Sequence, residues 1–582
     1  MGDTRFTRRQ AIVALLGTSA LAVGGGLWAF SAPSTQTFKA SEVVADAPFA
    51  HGVASGDPLQ DRVVIWTRLD PESVPDETAE VEWEIWDAAD TSAVWKGVFA
   101  TNATRDWTVK VDVAGLVPGR KYVYQFQFGT YVSKQGITRT LPAGRVDQAR
   151  FAVVSCSNWQ FGYFNAYDHI ARSGHFDAMI HLGDYIYEYG QSEKSGKPKD
   201  GAIRLHDPAH EIITLDDYRT RMAQYRSDPS LQRVTSAMPL IAIWDDHETA
   251  NDSFVAGADN HQPEEGAWLA RRDAALQAYF EWLPVREPVT GQSRTDQFRA
   301  FEWGDLATIV ALESRLGGRQ APIIIDDYYE MLYSENGAEK FNKVLNDPAR
   351  DMLGQAQRDF VAQTFGASKS AGKPWRLLAN QVVMGRVQTP DLNPHVTQEA
   401  IDRIRPLWAG IDDFVKLSGF RLPFDTDRWD GYPAARKRLY DQLADVGVRD
   451  MLVVTGDAHE YWLNDLTDDA GAKMGVEIGT TSVTSGTLKG FLGSATESYA
   501  LLMTRENDDV RYYNPLHNGY VDLTLTPHEA ITRCVAIDTV RARSYGAFEA
   551  ARFTICHDAE SLKFMRPKGL NVKQYSLFRG WA

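Results

Sequence analysis

Ala178-Met179-Ile180-His181-Leu182-Gly183-Asp184-Tyr185-Ile186-Tyr187 is the stretch on which the reading of this chain turns. A short apolar run ends in an aspartate and, three residues on, a tyrosine, in the spacing Gly-Asp-x-x-Tyr. This is the pattern of a strand that delivers metal ligands at its carboxyl end. A carboxylate there can bridge two cations, and a phenolate can bind a hard, highly charged one such as Fe(III). Three other apolar runs end in similar chemistry, at Cys156, at Asp245-Asp246-His247-Glu248 and at Gly456-Asp457-Ala458-His459. Four such ends point to one site assembled from distant segments.

Working outward, short apolar runs at 151–155, 178–182, 240–244, 307–312, 376–379, 452–455 and 476–480 alternate with helical patterns. Runs without polar alternation suit strands covered on both faces, so the expected fold is an α/β layered domain. In such domains active groups gather at the carboxyl ends of strands. Polar candidates stand there: Cys156, Asp184, Asp245, Asn380 and Asp457. The polar, charged stretches between Glu188 and Met238 and from Asn251 to Trp268 read as loops or lids over the site.

Upstream, period-two alternation at 81–85, 108–113 and 122–128 marks half-buried strands. Leu116-x-Pro118-Gly119-x-x-Tyr122 resembles the tyrosine corner of immunoglobulin-like and fibronectin-type sandwiches. The expected organisation is an N-terminal all-β sandwich over 40–145, a larger α/β domain over 146–560, and a C-terminal tail over 561–582 that docks back as a helix or lid, or frays.

A chain of 582 residues exceeds one hydrophobic core. Its net charge of -16 argues against a surface for nucleic acid or an anionic membrane. Positive potential for an anionic substrate then has to come from bound metal. Arg5 and the pair Arg8-Arg9 precede an apolar run over 11–30, which marks 1–32 as an export signal. Thr7-Arg8-Arg9-Gln10-Ala11-Ile12 resembles the twin-arginine signature, implying the twin-arginine export machinery as a partner and a periplasmic, cell-wall-associated or secreted destination. A single-span anchor is the rival reading, weakened by Gly24-Gly25-Gly26, and no other stretch suits a bilayer, so no stable membrane insertion is expected. Of three cysteines, Cys534 and Cys556 lie in apolar segments that could pair in an oxidising compartment, which leaves Cys156 for chemistry.

Each motif alone has a bland reading. Gly183-Asp184-x-x-Tyr187 could be a capped helix start with a packed ring, the acids around His247 a solvated turn, and Asp457 with His459 a hydrogen-bonded loop. Four ligand-bearing strand ends together are hard to explain that way. A rival from another class, a secreted carbohydrate-binding protein using some of the 16 Trp, leaves those ends unexplained.

Cys156, Asp184 with Tyr187, the Asp245-Asp246-His247-Glu248 block and Asp457 with His459 resemble the calcineurin-like metallophosphoesterase pattern, and more narrowly its PhoD-type alkaline phosphatase and phosphodiesterase branch. Met352-Leu-Gly-Gln-Ala-Gln357, Trp429-Asp430-Gly-Tyr-Pro433 and residues 477–484 are similar to that branch as well. Compared with purple acid phosphatases, Cys156 stands where an Asp ligand would be, Asp246 for an Asn and Asp457 for a His. The resemblance implies a hydrolase of phosphate monoesters or diesters, or a phospholipase D-like phosphodiesterase, that uses a metal-bound hydroxide. It also implies one Fe(III) with calcium beside it: Asp184 bridging, Cys156, Tyr187 and His459 on the iron, Asp246 and Asp457 on calcium with Asn380 as a weaker candidate, and His247 as proton donor to the leaving oxygen. The chain departs from the branch at Leu312-Glu313-Ser314-Arg315, where Leu-Asp-Thr-Arg is expected, and this bears on substrate binding.

Overall fold

The computed structural model describes residues 35–42, 46–191, 203–405, 410–493 and 496–565. The expected export signal over 1–32, and the tail beyond 565, lie outside them. No helix among the described residues is long and apolar enough to cross a membrane.

Two large sheets pack face to face. The first has a parallel centre, Ala149–Val154, Ala178–His181 and Leu240–Ala242. It is extended on one side by the antiparallel strands Asn518–Leu525, Glu529–Ile537 and Ser544–Asp558. The second has a parallel run of Ala307–Ala311, Trp375–Ala379, Met451–Thr455 and Lys473–Gly479. Successive side chains of a strand point to opposite faces, and here both faces are covered. Phe151 and Val153 face the second sheet, against residues such as Trp303, Ile309 and Leu377. Ala152 and Val154 face helices. Asn165–Ser173, Leu215–Arg226, Pro229–Ala237 and Trp268–Trp282 cover the first sheet. Gln355–Ser370 and Pro433–Asp445 cover the second. This four-layer arrangement is why the strands read as unbroken apolar runs, at roughly 1.5–3 kcal/mol for each large aliphatic or aromatic side chain buried.

The N-terminal strands form the expected β-sandwich. Val53–Gly56, Arg62–Arg68 and Thr108–Ala114 pack against a second sheet built on Thr78–Asp87, Val94–Asn102 and Lys121–Phe128. Tyr122 makes the corner, its hydroxyl accepting from Val117 N at 2.7 Å. The first of these sheets is continuous with the large one, because Gly56 pairs with Leu240 across adjacent parallel strands. The sandwich is therefore joined through backbone pairing as well as through the connecting chain.

Two expectations need correcting, and one possibility left open by the sequence is decided. The stretch between Glu188 and Met238 is not simply loop: its second half is the helices Leu215–Arg226 and Pro229–Ala237, belonging to the packed layer over the first sheet. The charge that masked them is buried. Arg221 donates to the carbonyls of Tyr187, Asp207 and Pro208, and Arg226 to Thr235 Oγ1 and His51 O. Cys534 and Cys556 do not pair; both are free, and in the sheet they stand opposite Ala551 and Glu529. The tail expected from Ser561 as a docked helix or lid, or a frayed end, begins as the strand Ser561–Met565 against Ser544–Asp558.

Replacing Tyr122 by Phe leaves the Val117 amide without its acceptor and should cost about 1 kcal/mol. A lowered thermal midpoint with kcat intact is the expected outcome; a lost kcat would mean that the sandwich shapes the chemistry directly.

Candidate metal centre

Parallel strands bring their carboxyl ends to one edge, and the two sheets bring those edges together. At this seam Ser155 bridges to Ser482, and Val483 N donates to Ser155 O at 2.9 Å. From the first sheet come Cys156, Asp184 and the 245–248 turn; from the second come Asp457 and His459. Ligand atoms of Cys156, Asp184 and His459 lie within 4.8 Å of one another, as do those of Asp184, Asp246 and His247, and those of Asp245, Asp246 and Asp457. Asp184 belongs to the first two sets and Asp246 to the last two. The Tyr187 hydroxyl donates to Asp184 Oδ2 at 2.8 Å and lies 3.4 Å from His459 Nε2. His459 Nδ1 faces the Gly486 carbonyl at 3.0 Å, which leaves Nε2 for the centre. Asn380 is also at a strand end, but its amide bonds the Val382 carbonyl at 2.7 Å and accepts from the Trp429 indole at 3.4 Å.

The backbone at these residues is unusual. Cys156, Asp184, Asp457 and His459 have φ of 62°, 55°, 58° and 63°, in the left-handed region where few non-glycine residues sit. Each costs of order 1–3 kcal/mol and persists only where its surroundings impose it. Glu248 is one such constraint: its buried carboxylate accepts from the backbone N–H groups of Asp184, Tyr185 and Asp245, holding two ligand turns together. Gly183 and Gly456 are others. A side chain on Gly183, itself at φ 103°, would collide with Asp245, and one on Gly456 would reach within 2.6 Å of Ser155 Oγ.

The donor set fits cations. Asp184 Oδ1, Asp245 Oδ2 and Asp246 Oδ1 are buried and have no hydrogen-bond partner, a state that costs several kcal/mol for charged oxygens unless a cation meets them. Burial, then the neighbouring acids Asp246 and Asp245, push the Asp184 carboxyl well above the usual range, although His247 opposes them. Burial pushes Asp457 up to about 6 against Arg428 and Arg315. Burial and the nearby Asp184 raise both the Cys156 thiol and the Tyr187 phenol. A metal ion reverses each of these preferences.

Arg315 supplies part of the missing positive charge. Fully buried, it meets Asp245 at 2.5 Å, Asp427 at 2.7 Å and Asp246 at 3.7 Å. Its neighbour Glu313 does not reach the carboxylates: it accepts from the Trp244 indole and from Arg315, Leu316 and Gly317 N, so the departure from Leu-Asp-Thr-Arg acts on the loop that aims Arg315. Arg428 lies 3.6 Å from Asp457 and 3.5 Å from Asp425. Beside the centre a cleft of about 310 Å³ is lined by Asp252, Asp259, residues 322–326, Phe414, Phe424 and Asp425, among others.

Among residues that sequence reasoning did not assign to the site, Ser485 donates to the Tyr187 hydroxyl at 2.6 Å. Glu188, fully buried, lies 2.6 Å from His247 Nδ1. The only signal for Glu188 was adjacency to Tyr187; for Ser485 it was adjacency to the 477–484 stretch.

Comparison with known proteins gives a consistent result. Residues 151–534 match the family model of PhoD-like phosphatase, and residues 34–142 match that of the PhoD-like phosphatase N-terminal domain. The chain is 34% identical over 501 residues to alkaline phosphatase D of Bacillus subtilis (strain 168), covering 83% of this chain and 76% of that protein. A solved structure described as the structure of PhoD superposes with a TM-score of 0.72 at 29% identity, covering 91% of this chain and 95% of the other.

Gly183→Ala should drive the 183 and 245 turns apart and lower bound metal at least tenfold, read by elemental analysis of folded protein. For the metal-stripped protein, Asp184, Asp245 and Asp457 have native-state pKa values raised above their unfolded ones. The stability they contribute is full below about pH 4 and is lost as pH rises through about 6 for Asp457. The rise in thermal midpoint on adding back cations should therefore grow between pH 5 and 8; a rise independent of pH would contradict a carboxylate-rich site.

Proposed function

The chain belongs to the PhoD-like phosphatase family and is a metal-dependent hydrolase of phosphate esters, and from that premise we propose which residues carry the reaction. Cys156, Tyr187 and His459 would hold a trivalent iron, Asp246 and Asp457 would hold calcium with Asn380 as a secondary candidate, and Asp184 would be shared between them. The observation that carries this reading is the chain of overlapping clusters, thiol and imidazole at one end and carboxylates alone at the other, linked by Asp184 and Asp246. The softer thiolate with phenolate and imidazole suits iron, and oxygens alone suit calcium. When bound, the cations supply Lewis acidity towards the phosphoryl oxygens and acidify water beside phosphorus.

The protein's own groups do the rest. His247, a ring nitrogen of which lies within 4.8 Å of the Asp184 and Asp246 oxygens, donates a proton to the leaving oxygen. Burial lowers its pKa, but Glu188, Asp246 and Asp184 together raise it well above the ordinary value, and Glu188, which holds no cation, stays 2.6 Å from Nδ1. A positioned acid of this kind contributes about 100-fold to 10,000-fold. Arg315 fixes Asp245 and lies against Asp246, offsetting the repulsion between carboxylates in an otherwise anionic pocket. The cleft at 322–326 and 424–427 receives the leaving group, and its acids Asp252, Asp259 and Asp425 disfavour polyanionic ones. The substrate is a phosphate ester.

We also assign residues 1–32 as a twin-arginine export signal, on the strength of Arg8-Arg9 and the apolar run after them. The mature enzyme would then act outside the cytoplasm, and a folded-state export route suits a centre that has to be loaded before release.

Elemental analysis of the full-length enzyme should find iron and calcium, and a tyrosinate-to-iron charge-transfer band should colour it. Cys156→Ala should lose most of its iron, by about tenfold or more, while calcium and the folded fraction hold. Full iron content in that variant would exclude the thiol as a ligand, and a colourless, metal-free yet active enzyme would refute the centre.

A further inference from the structure

Resting on the reading of His247 as the proton donor, we propose that Glu188 is the positioning residue that aims it, and that the loop over 251–260 locks Glu188 in place. The Glu188 carboxylate is fully buried and both its oxygens are engaged. Oε2 lies 2.6 Å from His247 Nδ1. Oε1 accepts from Asn251 N and from Asn260 Nδ2, each at 2.8 Å. With two donors on Oε1, the carboxylate keeps Oε2 turned to the imidazole.

The ring itself is clamped. The Tyr187 ring lies against it with centroids 4.1 Å apart and planes at 31°, and Tyr189 meets it edge-on at 5.2 Å. Tyr189 is in turn tied to the same loop, its hydroxyl donating to Asn251 Oδ1 at 3.1 Å. Glu188 and its two neighbours thus fix the tilt and rotation of the imidazole. Because Nδ1 is bonded to Glu188, Nε2 is the nitrogen left to act.

The step balances simply. As a water-derived oxygen forms its bond to phosphorus and the ester P–O bond breaks, the electron pair of the broken bond goes to the leaving oxygen, the Nε2–H bond breaks, and the proton joins that oxygen. The imidazole is left neutral, with Nδ1–H still donated to Glu188. A buried carboxylate facing one imidazole costs desolvation that a packed apolar side chain would avoid. Its two oxygens here answer to two needs, holding the loop and holding the ring, and Tyr187 brings the ring's support from the same turn that carries Asp184.

A proton donor matters most when the leaving oxygen is basic. The test uses full-length, metal-loaded enzyme on two esters of one phosphate, a 4-nitrophenyl ester and an alkyl ester, with Glu188→Gln, His247→Ala and the double variant. Glu188→Gln should slow the alkyl ester about 100-fold and the nitrophenyl ester less than about fivefold. The double variant should be no slower than His247→Ala alone, since both changes remove one function. Equal losses on both esters, or additive losses in the double variant, would overturn the positioning role while leaving His247 as donor. If His247→Ala itself slowed both esters equally, the donor reading would fall and this inference with it. Should Glu188→Gln fold poorly, Asn260→Ala frees one anchor of Oε1 and should give the same ester selectivity at smaller size; no selectivity there would count against the proposal.

Discussion

Everything at this centre follows from crowding carboxylates where water does not reach. Asp184, Asp245, Asp246 and Asp457 meet at the seam of two sheets, and three of their oxygens are buried with no hydrogen-bond partner. Isolated in low dielectric, such groups would neutralise or force the seam open. The protein holds them by other means: backbone N–H groups converge on Glu248, Arg315 lies among Asp245, Asp246 and Asp427, and Arg428 flanks Asp457. The remaining deficit of positive charge is the driving force for cation capture.

The same crowding explains the backbone. An extended residue would send its side chain to one face of the sheet; a left-handed residue in the turn beyond the strand breaks that alternation and redirects the side chain. Cys156, Asp184, Asp457 and His459 all adopt that conformation, and the glycines ahead of Asp184 and Asp457 let the neighbouring turns close in. Strain of a few kcal/mol spread over four residues is tolerable in a molecule whose two sheets bury so much apolar surface between them.

Much of this was legible in the sequence because it obeys simple periods. Two-sided burial turns parallel strands into unbroken apolar runs, and four of those runs lead into residues that converge here, so Cys156, Asp184, Asp246, Asp457 and His459 could be picked out before the fold was known. What was not legible depends on contacts between distant residues. Glu188 looked like the first residue of a polar insertion, and only the approach of His247 gives it a role. The helix Leu215–Arg226 was hidden because Arg221 and Arg226 satisfy carbonyls inside the protein, whereas a charge pattern is ordinarily read as solvent-facing. Cys534 and Cys556 lie in two apolar segments that could pair in an oxidising compartment, but the register of the antiparallel strands sets them opposite Ala551 and Glu529.

The position of Glu313 shows how a substitution in a motif can leave its purpose intact. An extra methylene relative to aspartate lets the carboxylate cap the N–H groups of Arg315, Leu316 and Gly317 and also receive the Trp244 indole. Trp244 immediately precedes Asp245, so one side chain connects the loop that carries Arg315 to the turn that carries the acids Arg315 neutralises. Both ends of that ion pair are therefore tied to one buried carboxylate, which spans the two sheets. For a centre whose function rests on charges held a few ångströms apart, coupling the cation to the anions through a shared anchor is a stronger constraint than the identity of the motif residue itself.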